Sequence, residues 1–84
     1  MLNAKFSSKS RKFLKRTDNE TWKRLTNKIE ELRENPFPND TKRVVGRKEK
    51  VFRIRIGDYR ILYVIFFKKN LLFISNIDKR SKAY

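Results

Sequence analysis

The hydrophobic rhythm of this chain changes once, and that change decides most of what it can fold into. Before the segment Asn35-Pro36-Phe37-Pro38-Asn39-Asp40, apolar residues recur at helical spacing, as in Trp22, Leu25, Ile29 and Leu32. After it they alternate with period two: Phe52, Ile54 and Ile56 fall on one side, Val51, Arg53 and Arg55 on the other. A first short strand is predicted over 2–6, and Ser7 or Ser8 is placed to cap a helix over 8–16 anchored by Phe13 and Leu14. Asp18 caps a second helix that runs to about residue 34, where the two prolines end it. Short strands follow over 42–45, 51–56, 59–67 and 71–77, with Gly57-Asp58 as a two-residue hairpin turn, Lys68-Lys69-Asn70 as the next turn and a basic tail over 78–84. The expectation is one α+β domain over 1–84 of order β-α-α-β-β-β. Two N-terminal helices should pack on one face of a small, mainly antiparallel sheet of about four strands.

The strand over 59–67 is apolar on both sides, with Ile61, Tyr63 and Ile65 on one and Leu62, Val64 and Phe66 on the other. The helices cover one side. The other calls for a partner chain, or for the tail and the 35–50 loop folded over it.

Composition removes several kinds of chemistry. No cysteine and no histidine occur among the 84 residues, which excludes disulfides, the usual zinc sites and any Ser-His-Asp or Cys-His mechanism. The nine acidic residues form no cluster resembling a two-metal site, so no metal and no cofactor are expected. The start lacks the apolar core of a signal peptide, and the run over 61–67 is too short to span a bilayer. A soluble, cytoplasmic protein is expected. Lysine and arginine together number 23, for a formal net charge of +14. This exceeds the magnitude of roughly 2 to 8 that solubility asks of a small domain. Such an excess draws in polyanions, and RNA is the favoured one.

The hairpin turn sets the pairing of the flanking strands. Ile56 faces Tyr59, Arg55 faces Arg60 and Arg53 faces Leu62. Like charges directly opposite each other destabilise a sheet, and an anion between Arg55 and Arg60 would relieve them. Neutralisation of Arg60 by Asp58 or Asp78 is the alternative. The planar fork of arginine suits phosphate, so Arg53, Arg55 and Arg60 form a candidate phosphate grip. Lys79, Arg80, Lys82 and Tyr84 add cations and an aromatic that can stack on an unpaired base.

The element order, the segment Phe52-Arg53-Ile54-Arg55-Ile56-Gly57-Asp58-Tyr59-Arg60-Ile61-Leu62-Tyr63 and the ending Asp78-Lys79-Arg80-Ser81-Lys82-Ala83-Tyr84 together resemble the RelE/ParE toxin superfamily. The fit is closest to the RelE branch. The resemblance implies a ribosome-dependent, metal-independent endoribonuclease that cuts messenger RNA through attack of a ribose 2′-hydroxyl on the adjacent phosphate. It also implies a cognate antitoxin, acidic and partly helical, as partner. Catalytic positions would be Arg55, Arg60, Arg80, Lys82 and Tyr84, and RNA-binding positions Arg53, Lys50 and Lys79. One departure is that some members carry lysines where this chain has Arg53 and Arg55. An arginine with a pKa above about 12 is a poor general base, so Lys82, Tyr84 or the ribosome would have to supply the base. A ParE-like inhibitor of DNA gyrase, a non-catalytic nucleic-acid-binding module and an inactive relic of a toxin are the competing readings.

Overall fold

A computed structural model describes residues 1–44, 46 and 50–79. In chain order it contains β1 (Asn3–Phe6), α1 (Ser8–Arg16), α2 (Asn19–Glu34), β2 (Lys42–Arg43), β3 (Val51–Ile56), β4 (Tyr59–Phe66), a 3-10 turn (Phe67–Lys69) and β5 (Leu71–Lys79). The α+β fold follows the expected order, but the sheet has five strands, arranged β1-β5-β4-β3-β2. Strand β1 runs parallel to β5, from Asn3 opposite Leu71 to Phe6 opposite Ile74, and all other pairs are antiparallel.

Both helices begin where a side-chain oxygen can replace a missing backbone acceptor. The Ser7 hydroxyl accepts from the Ser10 backbone N–H at 3.1 Å and donates to the Ser75 carbonyl at 2.8 Å. Asp18 caps α2 by accepting from the Thr21 N–H at 3.3 Å. Hydrogen bonds from Thr21, side chain first and backbone second, hold the Asp18 carboxyl below its ordinary value. The buried stripe of α2 is Thr21, Leu25, Ile29 and Leu32. Trp22, expected in that stripe, is 46% exposed. It stands one residue, about 100° of helix, from Thr21, and the smaller threonine closes the row.

The core lies between the helices and one side of the sheet. Leu25, Leu32, Ile54, Ile61, Tyr63, Leu72 and Ile74 are completely buried there. Tyr63 carries the one phenol of this group. Its hydroxyl donates to the Pro36 carbonyl at 2.6 Å and meets the Thr41 hydroxyl at 3.0 Å, which fastens the loop after α2 to the sheet. Burial raises the Tyr63 pKa above the usual tyrosine value.

Strand β5 is longer than expected because its register slips by one residue. Leu62 pairs with Asn76, but Tyr63 pairs with Ile74, so Ser75 is an extra residue, a β-bulge. The bulge lets Ile74 and Ile77, three apart, both enter the core. It also provides the anchor for α1: the Ile74 carbonyl accepts from the Ser7 N–H at 3.0 Å and from the Ser10 hydroxyl at 3.0 Å. Asp78 and Lys79, read from the sequence as tail, belong to the strand. The hairpin turn has Gly57 at φ +56°, a conformation that glycine adopts at no steric cost.

Candidate nucleic-acid interface

The sheet side away from the core is ordered in rows that cross several strands. Residues directly opposite in an antiparallel pair share a face, so the register reads the rows directly. One row is Val51–Val64–Phe73, the next Lys42–Arg53–Leu62–Asn76, and the third Arg55–Arg60–Asp78. The face thus grades from apolar to charged toward the hairpin tip. Its apolar end is closed largely by the chain itself. Val51, Leu62 and Val64 are 6–8% exposed, and Val44 packs against them. Among the described residues the 35–50 loop therefore contributes Val44 to this cover, while Phe66 stays 42% exposed at the strand end.

Arg55 and Arg60 stand opposite each other as the turn length required. Part of the expected repulsion is relieved from the next strand. Asp78 takes one edge of the Arg60 fork, with Nε to Oδ1 at 3.1 Å and Nη2 to Oδ2 at 2.8 Å. The alternative in which Asp78 neutralises Arg60 is therefore realised, through the bulge that turns Asp78 to this side. This pair orients the guanidinium in a fixed plane. Each partner's side chain is 34% exposed, so the contact remains open to solvent. Arg53 is half-buried and Arg55 is exposed.

Other predicted residues lie elsewhere. Lys50 is exposed one position before β3. Lys79 pairs with Tyr59 on β4, which puts it on the helix side of the sheet, away from Arg53, Arg55 and Arg60. There it lines a cavity with Phe13 and Tyr59. Arg80, Lys82 and Tyr84, and with them the expected convergence of Arg80 on Arg55 and Arg60, lie outside the described residues, as does Val45 of the second predicted strand.

Cations on or beside this face were missed, among them Lys5, which stands opposite Phe73. Lys42 stands opposite Arg53, and a hairpin register between the second and third strands would have found it. Lys9, from the first turn of α1, lines a groove of about 350 Å³ on this face with Leu62, Ser75 and Asn76. No sequence signal places α1 at the β5 edge. The chemistry available to the face is that of fixed cations held over a partly apolar surface. It can bind a phosphate backbone and stabilise charge developing on phosphorus.

This fold recurs in toxins. The structure of the archaeal RelE–RelB complex from Pyrococcus horikoshii contains a chain that matches it with a TM-score of 0.82 over 98% of both chains, at 23% identity. The isolated RelE toxin of E. coli matches with a TM-score of 0.85 over 99% of this chain and 88% of that one, at 19% identity. A curated relative in Methanocaldococcus jannaschii that carries the toxin name RelE1 is 38% identical over 65 residues, which is 74% of this chain and 71% of the relative. Residues 4–84 match the family described as the ParE toxin of type II toxin-antitoxin system, parDE. The chain belongs to that toxin family, within the RelE/ParE superfamily that its hairpin and ending resemble.

Proposed function

We propose that this protein is a RelE-like toxin that cleaves messenger RNA on the ribosome and is neutralised by an acidic, partly helical antitoxin. The observation that carries the reading is the cross-sheet row Arg55–Arg60–Asp78 with Arg53 and Lys42 beside it. In the reaction the ribose 2′-oxygen attacks the adjacent phosphorus, the bond from phosphorus to the 5′-oxygen breaks, and that oxygen takes up a proton. A 2′,3′-cyclic phosphate is left on the upstream fragment. Arg55 and Arg60 stabilise the charge on the phosphoryl oxygens, Arg53 and Lys50 hold the backbone, and Arg80 adds a further donor. Lys82 or Tyr84 moves the proton, because an arginine cannot act as general base at neutral pH.

The antitoxin reading rests on the charge of +14 and on exposed aromatic surface at Phe66 and Trp22. An acidic segment with apolar residues would cover both. The RelE–RelB complex of Pyrococcus horikoshii, which contains a chain of this fold, supports the reading that a protein partner binds here.

Purified protein added to translating ribosomes, followed by primer extension on the messenger RNA, tests the activity. New 5′ ends of the downstream fragments, seen as cDNA stops, are expected with the natural chain, and none with a folded Arg80→Ala variant. Full activity in that variant overturns the assigned site. Intact messenger RNA together with inhibited DNA gyrase would establish the ParE-like reading, which the matched family profile favours by its name.

A further inference from the structure

Pairing of β1 with β5 stops at Phe6 and Ile74. Beyond that point α1 lies along the edge that β1 leaves open, and its Phe13 meets Tyr59 edge-to-face with ring centroids 5.9 Å apart. A cavity of about 480 Å³ opens between α1 and the end of the hairpin. Phe13 and Tyr59, both half-buried, supply aromatic surface. Lys9, Lys12, Arg16 and Lys79 surround them, and among the described residues no carboxylate lines the space. Tyr59 and Lys79 project from the opposite side of the sheet to Arg55 and Arg60, so this is a second basic site.

We propose that this cavity receives one nucleotide of a single-stranded RNA, its base against Phe13 and Tyr59 and its phosphate among Lys12, Arg16 and Lys79. Three observations select that occupant. The volume lies within the range of roughly 300 to 1,000 Å³ usual for small-ligand sites. Four cations gathered without a carboxylate need an anion. An aromatic floor under them needs a flat apolar body attached to that anion, and a nucleotide is both. A phosphate alone would leave the floor uncovered. Continuity separates RNA from an acidic, aromatic peptide. Lys9 lines this cavity and also the groove on the arginine face. A strand lying on that face and passing the β5 edge therefore arrives at the cavity without leaving cationic surface. The inference shares with the proposed function the premise that RNA is the ligand, but does not require that the RNA be cut.

Adenosine monophosphate titrated into isotope-labelled full-length protein, followed by amide NMR shifts, tests it without ribosomes. The expected result is saturable shifts at Phe13, Arg16, Thr17 and Tyr59, with binding weakened at least about tenfold in Lys12→Gln/Arg16→Gln, which loses the charged donors to phosphate. Both substituted residues are exposed, and unchanged thermal unfolding verifies the fold. The same shifts should persist in Arg55→Ala/Arg60→Ala, which removes the proposed cleavage face, so the two sites fail separately. Shifts confined to Arg53, Arg55 and Arg60 would overturn the proposal. Equal binding of inorganic phosphate would reduce the cavity to a simple anion cluster. Tighter binding of an acidic, aromatic peptide would assign it to a protein partner instead.

Discussion

The two sides of the sheet come from the same strands and have opposite tasks. On the helix side, Ile54, Ile61 and Tyr63 are completely buried and serve packing. On the other side, the intervening residues Arg53, Arg55 and Arg60 remain partly or fully accessible. Period-two alternation keeps the jobs apart, so a substitution on one side leaves the other nearly untouched. The separation also explains how a domain of 84 residues carries a repelling arginine pair. Apolar burial on the helix side offsets the electrostatic cost on the other.

Substitutions that strike one side at a time test this division. The largest loss of stability is expected from Ile61→Ala, at about 2–5 kcal/mol by urea unfolding, because a fully buried isoleucine leaves a cavity. A two-fold smaller effect than the low end of that range would mean that the core repacks freely. On the arginine side, Arg60→Ala should lower messenger RNA cleavage on ribosomes by about 100- to 1000-fold. Its stability cost should stay within about 1 kcal/mol, since the pair with Asp78 is a third exposed. If stability falls as far as in Ile61→Ala, the two sides are not independent.

Tyr63→Phe comes next. It removes the hydroxyl that holds Pro36 and Thr41 and should cost about 1–3 kcal/mol. The pH dependence supplies a second readout. Tyr63 has a raised pKa in the fold, so its contribution is complete below the ordinary tyrosine value and is lost as pH rises through the higher folded value. Alkaline unfolding curves of the natural chain should show that loss, and those of Tyr63→Phe should not. The smallest effect is expected at Asp18, whose carboxyl is depressed by its contacts with Thr21. Its contribution is present above the ordinary value and fades as pH falls through the folded one. Asp18→Asn should keep the cap and flatten the acid limb of a stability–pH curve, and an unchanged limb would remove Asp18 from that role.

Local chemistry made much of this fold legible. Helix starts were readable at Ser7 and Asp18 because a capping oxygen is a property of one residue. The β3–β4 register was readable because a two-residue turn leaves no freedom, and with it came the Arg55–Arg60 juxtaposition. The parallel pairing of β1 with β5 was not readable, since no turn joins strands 65 residues apart in the chain. The bulge at Ser75 was hidden for a related reason. Two polar residues, Ser75 and Asn76, stand between Ile74 and Ile77, and only packing of both isoleucines into one core shows that one of the two is the extra residue. That slip in turn left the choice between Asp58 and Asp78 as partner of Arg60 open and concealed the true side of Lys79. The full candidate site was less legible than its hairpin, because Lys42 and Lys9 reach the face through neighbours distant in sequence.

The bulge has a consequence best counted in codons. Ser75 is the extra residue between Ile74, opposite Tyr63, and Asn76, opposite Leu62, so an in-frame loss of its codon alone leaves a regular strand in which every neighbour keeps its side. Ile77 would stay in the core and Asp78 opposite Arg60, whereas the Ser7 hydroxyl at the start of α1 would lose the Ser75 carbonyl as its acceptor. Among natural variants that shorten this strand, loss of the residue at position 75 should therefore be counter-selected less strongly than loss of one from the regularly paired stretch Leu71–Ile74.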